Sequence, residues 1–257
     1  MTEPQKLGEF LSWKPEYPEP ILDKGVLYSG TRALLYGRYK SLKTMLALHF
    51  SLSVASGKPW LGLKTPEGGI SVLHLQLEVP APLLQQRVSK MYNGTEPTGR
   101  TDTPLWFWTE HFLKLDTNDG YSAVSYYIEQ CKAQVLVIDP LYKVIAGDPL
   151  KANEVNKVFD NLDKLIDKFG VSIFLVHHSR KGDNEDSWGT DDSLGSVLLS
   201  GWPDSVIKVN RDSPSSKELR VSFDVIRHAP EEIAPVDLTY HWESASFEIT
   251  SPVDRGL

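Results

Sequence analysis

Hydrophobic and polar positions divide the chain into segments that predict strands and helices in alternation. Short, largely apolar runs predict buried strands at 33–37, 70–77, 105–108, 135–139 and 172–176. Apolar residues at helical spacing follow most of these runs and predict helices at 43–56, 82–91, 121–131 and 154–169. Strands that alternate with helices indicate a parallel sheet covered by helices on both faces.

The two ends of the chain follow different patterns. After about residue 203, apolar segments separated by short turns predict an antiparallel extension of the same sheet, with strands at 205–209, 219–226, 238–242 and 247–250. Residues 1–30 are rich in proline, glutamate and aromatic residues. They predict an extended N-terminal arm that packs on the domain or on a neighbour, with a loosely ordered tail as the alternative. We therefore expect an α/β fold whose main domain covers residues 31–257.

Composition narrows the classes of protein to consider. The chain has 257 residues, a net charge of −7, 40% hydrophobic residues and a single cysteine, Cys131. No run approaches the roughly 20 apolar residues that cross a bilayer, and the N-terminus lacks the pattern of a signal peptide. We expect a cytoplasmic protein with no membrane partner. The negative charge leaves room for a local basic channel but argues against a surface that is basic throughout.

The most informative motif lies between the first predicted strand and the first predicted helix. The segment Gly37-Arg38-Tyr39-Lys40-Ser41-Leu42-Lys43-Thr44 has the spacing of a phosphate-binding P-loop. In such a loop, backbone N–H groups and the helix N-terminus hold phosphates, Lys43 reaches the β- and γ-phosphates, and Thr44 ligates Mg²⁺. The alternative is an ordinary strand-to-helix turn of an α/β protein.

One position departs from the P-loop pattern. Leu42 stands where the pattern has glycine, the residue used where backbone approaches phosphate closely or takes a positive φ. We expect this leucine to change the loop conformation and to weaken nucleotide binding or hydrolysis. Lys40, at the crown of the loop, is a candidate for partial compensation.

Two acidic residues end predicted strands at the edge where ligands bind in such sheets. Asp139 closes the apolar run Val135–Asp139 and is a candidate for the Mg²⁺-associated acid, although aspartate is also a common turn residue. Glu78 follows the run 70–77 and is a candidate base that polarises the attacking water. Its alternative role is a solvated cap of the helix that follows.

Basic and imidazole groups end three further strands. His178 is a candidate γ-phosphate sensor, while His177 is expected to pack or hydrogen bond. A zinc site is disfavoured because adjacent strand residues point to opposite faces. Arg211, with Lys208 three residues before it, and Arg227 are candidate arginine fingers that act on a neighbouring subunit; the alternative for both is surface charge.

These motifs, taken in order, resemble those of the RecA-like ATPases. The resemblance rests on the P-loop segment, Pro59-Trp60-Leu61-Gly62, Leu75-Gln76-Leu77-Glu78, Val137-Ile138-Asp139, His177-His178-Ser179-Arg180-Lys181 and 195–204. The chain is most similar to the plasmid RepA-type hexameric replicative helicases and their phage relatives, over about residues 30–230.

The resemblance implies a RecA-like sheet, ATP and Mg²⁺ as cofactors, and a homo-oligomeric ring or filament with nucleotide at the subunit interfaces. It assigns phosphate binding to Lys43, Mg²⁺ to Thr44 and Asp139, water activation to Glu78 and γ-phosphate sensing to His178. It makes Arg211 or Arg227 the trans-acting arginine. Single-stranded DNA would be contacted by two central loops, with Lys143 and Lys151 in the first and Arg180 and Lys181 in the second.

Three functions therefore remain at this stage. The first is an ATP-hydrolysing motor of DNA replication or recombination, against which the acidic residues of the second loop argue. The second is a non-motor assembly or loader protein, gated by nucleotide, in which Leu42 slows hydrolysis. The third, a small-molecule kinase, is disfavoured because no lid with clustered arginines follows the P-loop.

Overall fold

The computed structural model describes residues 4–95, 102–149, 151–178 and 201–250. The helices are α1 (Leu7–Ser12), α2 (Lys43–Ser56), α3 (Ala81–Thr95), α4 (Asn118–Cys131) and α5 (Ala152–Phe169), with a 3-10 helix at Leu141–Val144. The strands are β1 (Pro20–Leu22), β2 (Leu27–Tyr28), β3 (Arg32–Gly37), β4 (Val72–Gln76), β5 (Leu105–Thr109), β6 (Val135–Asp139), β7 (Ser172–His178), β8 (Ser205–Asn210), β9 (Glu218–Ile226), β10 (Val236–His241) and β11 (Ser246–Ile249).

A single large sheet organises the described part of the chain. Its strand order is β11-β10-β9-β8-β3-β7-β6-β4-β5. The six strands from β8 to β5 are parallel, whereas β9, β10 and β11 continue the sheet in antiparallel pairs. The predicted fold class is confirmed, and the helix bounds differ from the predicted ones mainly by a few extra residues at the ends of α3, α4 and α5.

Two apolar layers bury the two faces of the sheet, because the parallel strands carry large aliphatic side chains on both sides. On the face covered by α2, Phe50 stacks on Phe174 of β7 with 4.0 Å between ring centroids, and Trp60 packs edge-on against both. On the opposite face, Phe159 of α5 stacks on Trp202 at 4.2 Å. The parallel strands are thereby held rigidly from both sides.

The segment predicted as an N-terminal arm contains two different structures. The six-residue helix α1 buries none of its side chains, and Leu7 and Leu11 are each 73% exposed. Strands β1 and β2 pair as an antiparallel hairpin, and Ile21, Leu22 and Leu27 of this hairpin are buried in the core beside α2. Residues 20–28 therefore pack as part of the globular core.

The sheet determines where the chemistry lies. In a parallel sheet all strands end at the same edge, so the residues that follow β3, β4, β6 and β7 converge there. The paired residues Gln76 and Asp139 end β4 and β6, and Gly37 pairs with His178 at the ends of β3 and β7.

Candidate nucleotide-binding site

The P-loop connects β3 directly to α2 and is folded tightly against the sheet. Ser41 N–H donates to the Arg38 carbonyl at 3.2 Å, and Leu46 N–H donates to the Leu42 carbonyl at 2.9 Å in the first turn of α2. Gly37 lies so close to β8 that a β-carbon there would collide with the carbonyl oxygen of Val209. Glycine is thus required at the start of the loop by packing of backbone on backbone.

Two side-chain-bearing residues of the loop adopt the left-handed conformation. Lys40 has φ 64° and Leu42, the N-cap of α2, has φ 67° and ψ 18°. This region costs a residue with a β-carbon about 1–2 kcal/mol, and glycine avoids the cost. The leucine therefore adopts the positive-φ conformation for which glycine is normally used, and its side chain packs against the core.

Lys43 is buried beneath the loop and is hydrogen bonded to it. Its ammonium donates to the carbonyl of Gly37 at 2.7 Å, to the carbonyl of Arg38 at 2.6 Å and to Ser41 Oγ at 3.2 Å. Burial lowers the pKa of Lys43 to about 8, and the negative charges of Asp139 and Glu78 oppose this shift. The ammonium group is thus bonded to neutral oxygens of the loop, which a bound phosphate would replace as its partners.

Asp139 is completely buried at the end of β6 and is held on one side only. Its Oδ2 accepts a hydrogen bond of 3.0 Å from Gln76 Nε2. Its Oδ1 has no hydrogen-bond partner among the described residues. Burial raises the pKa of Asp139, while the nearby Thr44 hydroxyl and the Gln76 amide act in the opposite direction.

Because a buried carboxylate oxygen without a partner is costly, its presence beside Thr44 fits a hydrated Mg²⁺ ion. Thr44 and Asp139 are therefore the residues that would hold the ion, which would neutralise charge on the phosphates.

Glu78 lies just beyond β4, between two aromatic side chains. The Tyr142 hydroxyl donates to Glu78 Oε1, and His178 Nε2 lies 3.9 Å from Glu78 Oε2. The proximity of His178 is the largest of the influences that lower the pKa of Glu78, and the hydrogen bond from Tyr142 acts in the same direction. The ring of His178 is flanked by the rings of Tyr39 and Tyr142, each with its centroid 6.1 Å away. Glu78 is consequently an ionised carboxylate at neutral pH, as a base must be.

The neighbouring histidine has a different environment. His177 is buried, and neither of its ring nitrogens has a hydrogen-bond partner among the described residues. Burial lowers its pKa to about 3, so it is neutral. Within the described ranges, no group of three or more His, Cys, Asp or Glu residues is arranged to hold a metal ion.

A cavity of about 490 Å³ extends outward from the P-loop. Lys43, Thr44, Glu78 and His178 are among the residues that line it. The lining also includes residues of α3, of the segment after β8 and of the chain in and after β10, namely Gln86, Arg87, Lys90, Arg211, Pro214, Tyr240, Trp242 and Ala245. The cavity therefore combines cationic side chains with aromatic ones.

The two candidate arginines occupy opposite edges of the sheet. Arg211 lies in the cavity, where Nη1 donates to the Lys40 carbonyl at 2.7 Å and Nε donates to the Ser216 carbonyl at 2.8 Å. Its guanidinium also lies over the ring of Trp242, 5.5 Å from the centroid. Arg227 follows β9 at the edge away from the P-loop and donates to the Gly201 carbonyl at 2.5 Å.

The candidate DNA-binding residues lie on the segments that follow β6 and β7. Lys143 is in the 3-10 helix, with its ammonium 5.6 Å from the Tyr142 ring centroid, and Lys151 is the exposed N-cap of α5. Arg180 and Lys181 lie outside the described residues, as do the acidic residues that follow them.

Two further residues belong to this site, although the sequence pattern assigned neither of them a role. Gln76 bonds Asp139 with its amide and accepts the backbone N–H groups of Glu78 at 2.9 Å and Val79 at 3.2 Å. Tyr142 holds Glu78, although it is far from it in sequence. A polar residue two positions before Glu78 in a buried strand was a visible signal for Gln76, whereas nothing in the sequence pointed to Tyr142.

Within the described residues, no helix combines the length and the apolar character needed to span a bilayer.

Together, the strand order of the sheet and the P-loop, Asp139 and His178 at its edge define a RecA-like P-loop ATPase. The chain belongs to the AAA domain family, which matches residues 2–184. A comparison with curated proteins found no match.

Solved structures support the same fold. A KaiC-like protein from the hyperthermophilic archaeon Pyrococcus horikoshii OT3 is 16% identical, with a TM-score of 0.60 over 90% of this chain and 94% of that one. A DnaB-like replicative helicase is also 16% identical, with a TM-score of 0.65 over 85% of this chain. The present chain spans 58% of the length of that helicase.

Proposed function

We propose that this chain binds ATP with Mg²⁺ and hydrolyses it, as an oligomeric ATPase that acts on DNA in replication or recombination. The observation that supports the proposal most is the convergence of five predicted groups at one sheet edge: Lys43, Thr44, Glu78, Asp139 and His178. They come from four different strand ends, and each has the chemistry that phosphoryl transfer to water requires.

Three of these groups act directly on the phosphates or the attacking water in this proposal, or sense the γ-phosphate. Lys43 leaves the carbonyls of Gly37 and Arg38 and neutralises the β- and γ-phosphates. Glu78, ionised and partly exposed, accepts the proton of the attacking water and orients it in line with the γ-phosphate. His178, 3.9 Å from Glu78, is the contact through which loss of the γ-phosphate would reach the end of β7.

The part of the cavity beside Trp242 would hold the nucleoside. Trp242 is 48% exposed and offers aromatic surface, whereas Tyr240 is buried beside it with its ring centroid 4.8 Å away. Arg87 of α3 faces the same cavity. Bases stack on such rings with little sequence preference.

Two structural relatives, a KaiC-like protein and a DnaB-like replicative helicase, support the oligomeric and DNA-associated parts of the proposal only through their fold. In an oligomer, an arginine that acts on the neighbour must lie away from its own cavity. Arg227 meets this condition, whereas Arg211 lies inside its own cavity. We therefore favour Arg227 as the trans-acting residue and assign Arg211 to the cavity of its own subunit. Single-stranded DNA would meet Lys143, Lys151, Arg180 and Lys181.

The first experiment measures steady-state ATP hydrolysis with and without single-stranded DNA, with Lys43→Ala as the control. We expect turnover that DNA stimulates and that the alanine variant lacks. Turnover equal to wild type in Lys43→Ala would refute the P-loop assignment.

A second function is supported by two observations. Leu42 holds the loop in a strained conformation and Lys43 is already fully bonded by the loop, both of which disfavour rapid nucleotide turnover. In this alternative, ATP binding stabilises an assembly or loader complex and hydrolysis is slow. Tight nucleotide binding, negligible turnover with or without DNA, and nucleotide-dependent assembly would favour it over the motor.

A further inference from the structure

The contact between Tyr142 and Glu78 joins two segments that leave the sheet side by side. Glu78 comes two residues after Gln76 of β4, and Tyr142 comes three residues after Asp139 of β6. Because Gln76 and Asp139 are paired across these neighbouring strands, the segments emerge next to each other. The Tyr142 hydroxyl crosses the gap between them and donates to Glu78 Oε1.

The carboxylate of Glu78 depends on such contacts for its position. Glutamate has a flexible side chain, and that of Glu78 is 33% exposed, so packing alone leaves it several rotamers. Its backbone N–H is fixed by Gln76 Oε1 at 2.9 Å, which sets where the side chain starts. Tyr142 then binds Oε1, and Oε2 is left facing His178.

Tyr142 itself is well anchored. The backbone carbonyls of Lys143 and Ile145 accept hydrogen bonds of 2.7 and 3.0 Å from Lys114 Nζ, which fixes the 3-10 helix to the chain that follows β5. Leu141 and Val144, on either side of Tyr142 and Lys143, are buried in the core. The hydroxyl is therefore presented by a rigid support and not by a swinging loop.

We propose that Tyr142 is a positioning residue, whose hydroxyl holds one oxygen of Glu78 so that the other oxygen is directed toward the reacting phosphate. This inference rests on the proposed role of Glu78 as the base. The charged and titratable groups that face Glu78 from the surrounding elements are Lys43, Asp139, Tyr142, Lys143 and His178. Of these groups, Tyr142 hydrogen bonds to the carboxylate from the 3-10 helix.

The test compares Tyr142→Phe with wild type in the full chain. Phenylalanine keeps the ring beside His178 and removes the hydroxyl only. We expect kcat for ATP hydrolysis to fall about tenfold, the effect of losing one hydrogen bond to a charged group, with unchanged nucleotide affinity. Tyr126→Phe, which alters an exposed tyrosine of α4, is the matched control and is expected to hydrolyse ATP like wild type.

A double variant separates positioning from a general structural effect. In a Glu78→Gln background, Tyr142→Phe is expected to cause no further loss in single-turnover hydrolysis, because the group that it positions is gone. A full additional loss in that background would overturn the inference, as would an unchanged kcat in Tyr142→Phe or a loss confined to nucleotide affinity.

The same set of variants tells failure of the inference from failure of the proposed function. If Glu78→Gln hydrolyses ATP far more slowly than wild type while Tyr142→Phe is as active as wild type, Glu78 is the base and the role of Tyr142 is wrong. If Glu78→Gln hydrolyses ATP like wild type, the assignment of the base fails and the positioning role fails with it. Thermal unfolding of each variant is compared with that of wild type, so that a folding defect is recognised as such.

Discussion

Arg211 donates a hydrogen bond of 2.7 Å to the backbone carbonyl of Lys40, at the crown of its own P-loop. The two residues are 171 positions apart in the chain. The contact places a guanidinium on the loop residue next to Ser41 and directly beside the cavity. An arginine in this position stabilises its own subunit's loop, including the left-handed conformation of Lys40.

Replacing Arg211 by alanine is therefore expected to weaken nucleotide binding by the same subunit. Loss of a hydrogen bond from a charged donor, at a partly exposed site, corresponds to about 1 kcal/mol, or about a fivefold higher Kd. The measurement is a titration of monomeric protein with a fluorescent ATP analogue. An unchanged Kd would return Arg211 to the role of a trans-acting finger.

For Arg227→Ala we expect the opposite effect on nucleotide affinity and turnover. We expect unchanged nucleotide affinity and reduced turnover in the oligomer. Mixing with Lys43→Ala subunits should restore activity, because each variant supplies what the other lacks: an intact P-loop or an intact arginine. Arg211→Ala mixed in the same way is expected to stay impaired, and rescue of Arg211→Ala alone would reverse the two assignments.

The strained Leu42 allows a comparison of two small substitutions. Leu42→Ala and Leu42→Gly both lose the packing of the leucine, but only glycine relieves the positive φ. We expect the glycine variant to have a free energy of unfolding about 1 kcal/mol higher than the alanine variant, measured by urea denaturation. Equal stabilities would mean that the loop relaxes out of the left-handed conformation.

The lowered pKa of Lys43 predicts proton uptake on nucleotide binding. In the folded protein without nucleotide, Lys43 has a pKa of about 8, below its ordinary 10.5. Between pH 8 and pH 10.5, Lys43 is protonated in the unfolded chain and deprotonated in the folded chain. The loss of folding stability that its burial causes therefore becomes smaller as the pH rises from 8 toward 10.5. Binding of phosphate favours the charged form. Nucleotide affinity is therefore expected to fall above pH 8, with proton uptake visible as a buffer-dependent calorimetric enthalpy.

The control for this experiment is Lys40→Ala, which removes an exposed lysine of the same loop. It is expected to retain the proton uptake. Uptake that disappears in Lys40→Ala, or that is absent in wild type at pH 9, would contradict the assignment to Lys43.

Gln76→Met tests the link between Asp139, the proposed Mg²⁺-associated acid, and Glu78, the proposed base. Methionine is similar in size but leaves Asp139 Oδ2 and the Glu78 and Val79 N–H groups without their partner. We expect a loss of about 1–3 kcal/mol in the free energy of unfolding and a greater Mg²⁺ requirement for hydrolysis. His74→Phe, at another buried polar residue of β4, should destabilise the protein without changing the Mg²⁺ requirement. A wild-type Mg²⁺ titration in Gln76→Met would show that Gln76 is structural only.

The hydrophobic pattern of the sequence predicts the sheet and most of the site residues at the ends of its parallel strands, because both follow from periodicity. Apolar runs locate β3, β6 and β7, and a residue that ends such a run must lie at the edge, which is how Asp139 and His178 were found. Leu42 stands out in the sequence because the P-loop pattern normally has glycine at its position.

Other features depend on tertiary pairing and left no local signal. Tyr142 meets Glu78 because β4 and β6 are neighbours, which the order of strands along the chain does not reveal. The hairpin of β1 and β2 is too short to show periodicity, and Pro20 at its start reads as a break. Arg211 and Arg227 look equivalent in sequence, and only the antiparallel turn of β9 sends them to opposite edges.

The cavity is lined by the P-loop and the first turn of α2, in the first fifth of the chain, and by the aromatic residues Tyr240 and Trp242, which come much later in the chain. During synthesis, the P-loop residues leave the ribosome some two hundred residues before these aromatic residues do. A nascent or truncated chain that ends before Tyr240 thus carries a phosphate loop without a complete nucleotide site. We therefore expect nucleotide binding to require that the chain has been synthesised at least as far as Trp242 and that β10 has joined the sheet.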